Sequence, residues 1–172
     1  MGDFLLAKLV DAPGCLVLDV SMPGPSGLDL QEALGKTEQS VPVVFLTGHG
    51  DIPMSVRAMK AGAVDFLTKP VKKETLLEAV KTAVALDAER RAHRNQMVVW
   101  RTRYQSLTPR ERAVLAHVIA GKLNKQIAAE LGASERTVKA HRARVMEKMQ
   151  ITSVAELVHV MDQLHASSSA AR

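Results

Sequence analysis

Residues 121–142 read Gly121-Lys-Leu-Asn-Lys-Gln-Ile-Ala-Ala-Glu-Leu-Gly-Ala-Ser134-Glu-Arg-Thr-Val-Lys-Ala-His-Arg142. Two helix-length segments flank Leu131-Gly132-Ala133. Asn124 is placed to cap the first and Gly132 to end it, while Ser134 can cap a second that runs to about Met149. Two short helices joined by a glycine turn make a helix-turn-helix. Stepping about 100° per residue from Val138 brings Val145 and Met149 onto the same side. Arg136, Lys139, Ala140, Ala143 and Glu147 fall on the opposite side. One face therefore packs and the other offers cations beside small residues. Such a face can sink into a major groove while Lys and Arg reach bases and phosphates. Arg142 lies nearer the packed side, where its stem is expected to run along apolar surface, and Arg144 lies at the edge, placed for a phosphate.

On either side of this motif the pattern stays helical. Thr108-Pro109-Arg110-Glu111 is a capping box with proline at the first helical position, and its helix carries Val114, Leu115, Val118 and Ile119. Ser153 caps a fourth helix with Val154, Leu157, Val158, Met161 and Leu164 on it. The Ala/Ser-rich end beyond His165 is expected to fray. Upstream, Leu76, Leu77, Val80 and Val84 predict one apolar helix face. The charged run Asp87 to Asn95 lacks Gly and Pro, so it is expected to continue that helix in solvent. Met97, Trp100 and Tyr104 share a face as packing residues.

The first half follows another rule. Residues 15–20, 41–46 and 65–68 are near-continuous apolar runs, the signature of parallel strands buried on both faces. Ser26 and Asp51 can cap the helices between them, which stop near Gly35 and Gly62. Strand–helix–strand–helix–strand order implies right-handed crossovers in an open α/β sheet. Asp19, Thr47 and Lys69 then project from the carboxyl ends of successive strands, where such sheets place their ligand sites. A carboxylate beside a hydroxyl and a lysine is a workable phosphoryl site: Asp19 attacks, Lys69 balances charge and Thr47 donates a hydrogen bond.

Composition narrows the function classes. Hydrophobic residues are 47% of the 172, enough for a core, and no apolar run is long enough to span a bilayer. A cytoplasmic protein is expected. The single cysteine excludes an internal disulfide framework. Residues 1–86 hold 8 basic and 10 acidic side chains, against 15 and 8 in residues 87–172. The second half therefore suits a polyanion. Aromatics are only 3%, which argues against base-stacking readers of single strands. Gly35-Lys36-Thr37 is not a P-loop, because Leu30 stands where a glycine is required. Gly24-Pro25-Ser26-Gly27 has the wrong spacing for a nucleophile elbow. No two histidines are four residues apart, so a metalloprotease helix has no support.

Leu-Thr-Pro-Arg-Glu-Arg (107–112), Gly-Lys-Leu-Asn-Lys-Gln-Ile-Ala (121–128) and Arg-Thr-Val-Lys-Ala-His-Arg (136–142) resemble the LuxR-type helix-turn-helix. That resemblance implies a four-helix domain whose third helix enters the major groove and whose fourth often supplies a dimer contact. By position, Lys139, Ala140 and Ala143 face bases, and Asn124, Lys125, Thr137 and His141 lie near the backbone or brace the helix. Arg136 and Arg144, from the outward and edge positions of the same helix, complete the DNA-binding set, and Val154, Leu157, Val158 and Met161 are the dimer candidates. Double-stranded DNA and a second copy of the chain are the implied partners, with no membrane and no small-molecule substrate.

Asp19 with Met22-Pro23 and Gly27, then Thr47-Gly48, then Lys69-Pro70, resemble the receiver domain of two-component response regulators over about Phe4 to Val84. The whole chain resembles the FixJ/NarL group. Asp19 is then the phosphoacceptor, Thr47 and Phe66 the switch pair, and Lys69 the phosphate-sensing base, with Lys69–Pro70 cis. Mg²⁺ and a sensor histidine kinase are implied. A receiver also places an acidic pair for Mg²⁺ at the end of an earlier strand, but no two acidic residues are adjacent in this sequence. Phe4 to Val10 read as the tail of the second receiver helix. Asp19 alone is a poor Mg²⁺ site, so weak phosphorylation is expected.

The expected architecture is thus an α/β, flavodoxin-like receiver remnant with strands in family order 3-4-5. A long helix joins it to an all-α, four-helix DNA-binding domain. The boundaries are 1–86 (receiver part), 87–106 (helical linker), 107–165 (LuxR-type domain) and 166–172 (disordered tail). The function expected is a non-enzymatic transcriptional response regulator. The alternatives are a phosphorylation-independent DNA binder, a modulator that pairs with an intact regulator, or a phosphoryl-accepting relay protein.

Overall fold

The structure, a computed structural model, describes residues 12–22, 24–35, 41–48 and 50–169. The segment Phe4–Val10, Pro23 and the Lys36-Thr37 pair lie outside the described residues. The chain forms two compact units, Met1–Ala92 and His93–Arg172. The stretch 87–106 continues the preceding helix, as its lack of Gly and Pro predicts. A single helix, α3 (Lys73–Gln105), runs through it, and its residues divide between the units. Among the described residues no helix is long and apolar enough to cross a membrane.

In the first unit, β1 (Leu16–Leu18), β2 (Val43–Thr47) and β3 (Asp65–Thr68) form a parallel sheet in the order β1-β2-β3. Leu16 registers with Val43, and Phe45 with both Leu18 and Phe66. The central strand β2 is buried on both faces, as its unbroken Val-Val-Phe run requires. On one side Phe45 packs with Val20, just after β1, with Leu28 of α1 (Gly27–Gly35) and with Ala58 of α2 (Ile52–Lys60). On the other, Val44 meets Ala79 and Ala83 of α3.

Two expectations about α3 need correction. Its buried positions are Ala79 and Ala83, whereas Leu77 is exposed and Leu76, Val80 and Val84 are half-buried. Small side chains let the helix lie close to the sheet, so the larger residues flank the contact. Nor is Asp87 in solvent: it is fully buried, and its Oδ2 accepts from the Gly14 N–H at 3.0 Å and from Arg91 Nε at 2.8 Å. A buried carboxylate needs such partners. Its position in a charged run concealed them, because Gly14 is 73 residues away.

The second unit gathers the end of α3, α4 (Pro109–Ile119), α5 (Asn124–Leu131), α6 (Glu135–Met149) and α7 (Val154–Ser169) around one core. Leu115, Ile127, Val138, Val145, Met149 and Leu157 are among its fully enclosed side chains. Met97 is buried in it, with Trp100 and Tyr104 packed alongside, as expected. The Thr108 capping box is complete, and Gly132 ends α5 at φ 61°, in the left-handed region that favours glycine. Asn124 is not a cap but the first residue of α5. Leu123 holds the cap position, and its N–H donates to Gln126 Oε1 at 2.8 Å. The tail expectation also fails in part, because α7 continues to Ser169. The Ser167 hydroxyl donates to the Leu164 carbonyl at 2.9 Å, and Arg101 Nη2 reaches Ser167 Oγ at 3.4 Å.

Glu111 ties the start of α4 to the end of α6. It is buried, and its Oε2 accepts from Lys148 Nζ at 2.7 Å and from the Thr108 N–H at 2.9 Å. These bonds, Lys148 first, hold the Glu111 carboxyl down at about 2. A carboxylate with a depressed folded value adds stability that is complete above its unfolded value and lost as pH falls towards the folded one. The unit is therefore expected to lose stability between about pH 4.5 and 2 on this account. Glu111→Gln is expected to cost about 2 kcal/mol at pH 7 and to flatten that acid limb, measured by urea midpoints across pH 2–7.

Candidate nucleic-acid interface and acceptor site

The outward face of α6 is built by what its inward face buries. Val138, Val145 and Met149 enter the core at helical spacing, each worth about 2 kcal/mol of burial, which fixes the rotation of the helix about its axis. Arg136, Thr137, Lys139, Ala140, Ala143 and Arg144 are all exposed as a result. Ser134 Oγ accepts from the Thr137 N–H at 3.1 Å and lies 2.9 Å from Thr137 Oγ1, so Thr137 also braces the first turn. Gly132 and Ala133 make the turn between α5 and α6, where the Ala133 N–H donates to the Ala128 carbonyl at 2.9 Å.

The far end of α6 is held by Lys148 on Glu111 and by Arg103, whose Nη1 donates to the Met149 carbonyl at 3.2 Å and whose Nη2 bonds Gln150 Oε1. Lys125 is exposed on the first turn of α5, and Asn124 is half-buried beside it. His141 is half-buried, with its Nδ1 enclosed and without a hydrogen-bond partner among the described residues.

Of the four dimer candidates, Leu157 and Met161 are corrected. They are 0% and 3% exposed and belong to the unit's own core with Val160 and Leu164. Only Val154 is exposed, and Val158 is half-buried. An apolar helix stripe looks the same in sequence whether it meets its own core or a partner.

In the first unit, Asp19 follows β1 directly, Thr47 ends β2 and Lys69 follows β3. Parallel pairing brings these three strand ends together. Lys69 Nζ donates to Asp19 Oδ2 at 2.9 Å, and the Ser21 N–H donates to Asp19 Oδ1 at 3.0 Å. The lysine contact first, then the Ser21 N–H and the Thr47 hydroxyl, hold the Asp19 carboxyl below the usual carboxylate range. Thr47 is buried, Phe66 is half-buried with its ring 5.9 Å from that of Phe45, and the Lys69–Pro70 bond is cis.

Two glycines that the sequence did not assign a role shape this site. A Cβ on Gly27 would stand 2.3 Å from the Asp19 carbonyl oxygen, and one on Gly50 would stand 2.8 Å from the Phe66 ring. Only the absence of a side chain lets α1 start against the Asp19 backbone. Glycine within ten residues of a strand-end acid was the available signal, but its meaning needed the contact.

The Mg²⁺ that the resemblance implies does not fit the donors present. Among the described residues no three His, Cys, Asp or Glu side chains converge. Asp19 is the one carboxylate at these strand ends, and its Oδ2 already faces an ammonium. Mg²⁺ asks for carboxylates in octahedral geometry, and an adjacent cation opposes it.

Comparison with known proteins agrees with both halves. Residues 5–81 match the family described as response regulator receiver domain, and residues 105–161 match bacterial regulatory proteins, luxR family. The chain is 46% identical to nodulation protein W of Bradyrhizobium diazoefficiens over 167 residues, covering 97% of this chain and 74% of that protein. It is 49% identical to response regulator protein TmoT of Ectopseudomonas mendocina over 156 residues, covering 91% and 71%. Among solved structures it is similar to response regulator StyR, with a TM-score of 0.82 and 48% identity over 94% of this chain and 82% of that one.

Lys69→Ala is expected to raise the titration midpoint of Asp19 towards the ordinary aspartate value of about 3.9, read by carboxyl carbon shifts in an NMR pH titration. An unmoved midpoint would show that the ammonium does not set the state of the carboxylate.

Proposed function

The chain belongs to the two-component response regulators that carry a LuxR-type DNA-binding domain, and from that membership we propose that it regulates transcription by lodging α6 in the major groove of duplex DNA. In this reading Arg136, Lys139, Ala140 and Ala143 meet base edges. Lys125 and Arg144 meet phosphates on either side. The observation that carries the reading is the division of α6 itself: Val138, Val145 and Met149 are buried while its cations and alanines stand exposed. A relay protein would need no such face. Two copies on paired half-sites would double the contact, with exposed Val154 and half-buried Val158 of α7 as the available apolar surface.

Control is proposed to depend little on phosphorylation of Asp19 in this chain. A sensor histidine kinase is the partner class that serves the family, and Asp19 with Thr47 and Lys69 keeps the family's acceptor arrangement. Asp19, the one carboxylate at these strand ends among the described residues, is already paired with Lys69, which favours a DNA binder that acts without the phosphoryl group. No step of this mechanism runs through Mg²⁺.

Lys139→Ala is expected to weaken binding to a selected operator by tenfold or more and to relax base preference locally, measured by fluorescence anisotropy over a salt series. Equal affinity of the variant would remove α6 as the reading element. Incubation with acetyl phosphate and Mg²⁺ is expected to leave the intact mass unchanged, and stoichiometric phosphorylation at Asp19 would reverse the proposal on control.

A further inference from the structure

Arg142 stands apart from the other cations of α6. It is half-buried, and its neighbours around a small internal gap are Val114, Leu115, Val118, Val145, Met146 and Leu157. Its stem thus lies along the core, and its guanidinium emerges at the start of α5. There Nη1 donates to Asn124 Oδ1 at 2.7 Å. No carboxylate among the described residues pairs with it.

This bond settles which way the Asn124 side chain faces. A guanidinium carries only donors, so only the carboxamide oxygen can turn towards it. The amide nitrogen must then point away, and its two N–H groups take no partner among the described residues. Asn124 opens α5, whose first-turn backbone N–H groups have no side-chain cap, and exposed Lys125 follows it. The donors of Asn124 therefore join a surface that already favours an anion, beside the exposed flank of α6.

We propose that Arg142 is a positioning residue for DNA binding: through its bond to Asn124 Oδ1 it holds the Asn124 amide so that its N–H₂ group donates to a backbone phosphate when α6 occupies the groove. The inference rests on the reading of α6 as the DNA-contacting helix. It assigns Arg142 a part in affinity without a direct contact to the nucleic acid. Asn124 becomes a phosphate donor and not a helix cap. Because a phosphate contact is blind to sequence, its loss weakens every duplex alike.

Asn124→Asp separates this role from a structural one. The aspartate keeps an oxygen for Arg142 and makes that pair ionic, but it replaces the outward donors with a negative oxygen. The full chain carrying Asn124→Asp is expected to melt at or above the wild-type temperature, yet to bind operator and random duplexes at least tenfold more weakly. Arg142→Met is expected to weaken both duplexes alike while leaving the salt slope of log K nearly unchanged, because the contact it supports is made by a neutral amide, whereas a slope lowered by about 1 would mark a direct Arg142–phosphate contact and overturn the positioning role. The double variant Asn124→Ala/Arg142→Met should be no weaker than Asn124→Ala. Wild-type affinity in Asn124→Asp, or additive losses in the double variant, would overturn the positioning role. Should Arg142→Met fail to fold, Asn124→Asp still decides the question. Failure of the wild-type chain to bind any duplex would instead remove the DNA-binding reading on which this rests.

Discussion

Burial of Val138, Val145 and Met149 against Leu115, Ile127 and Leu157 is the constraint on which the second unit turns. These contacts set the rotation of α6 about its axis, and the rotation decides which side chains meet solvent. The ends of the helix are pinned by different chemistry. Near its start, the Ser134 cap and the glycine turn fix its departure from α5. At its end, Lys148 on Glu111 and Arg103 on the Met149 carbonyl hold the last turn. A helix held in rotation and at both ends presents its exposed residues as a rigid surface, which is what base readout requires.

The first unit assembles its site differently. No helix face is involved; three strand ends are brought together by parallel pairing, and each delivers one polar side chain. Asp19 and Lys69 are 50 residues apart in sequence and 2.9 Å apart in space. The lysine and the Ser21 N–H each engage one of the two carboxylate oxygens, and the ammonium beside Asp19 opposes a metal cation at the same place. The glycine at the start of α1 is part of that geometry, because a larger residue there would press on the Asp19 backbone.

Local signals were sufficient for most of the element boundaries. Thr108, Gly132 and Ser134 act as their residue types predict, since capping and left-handed turns depend on a few adjacent residues. Asn124 did not, because a favourable cap residue two positions after Lys122 can as easily begin the helix when its side chain has a partner elsewhere. That partner is Arg142, on the next helix. Asp87 shows the same failure: a charge within a charged run looks solvated until the chain folds Gly14 against it.

The sequence by itself determined the two folding patterns, the boundary signals of the helices, the opposite faces of α6 and the three strand-end residues. All of these depend on residue type and short-range period. Tertiary structure alone decided that Leu157 and Met161 face their own core, that Ala79 and Ala83 and not Leu77 meet the sheet, and that Arg142 spends its charge on Asn124. The physical reason is that periodicity tells which residues share a face, whereas what that face meets is set by segments tens of residues away.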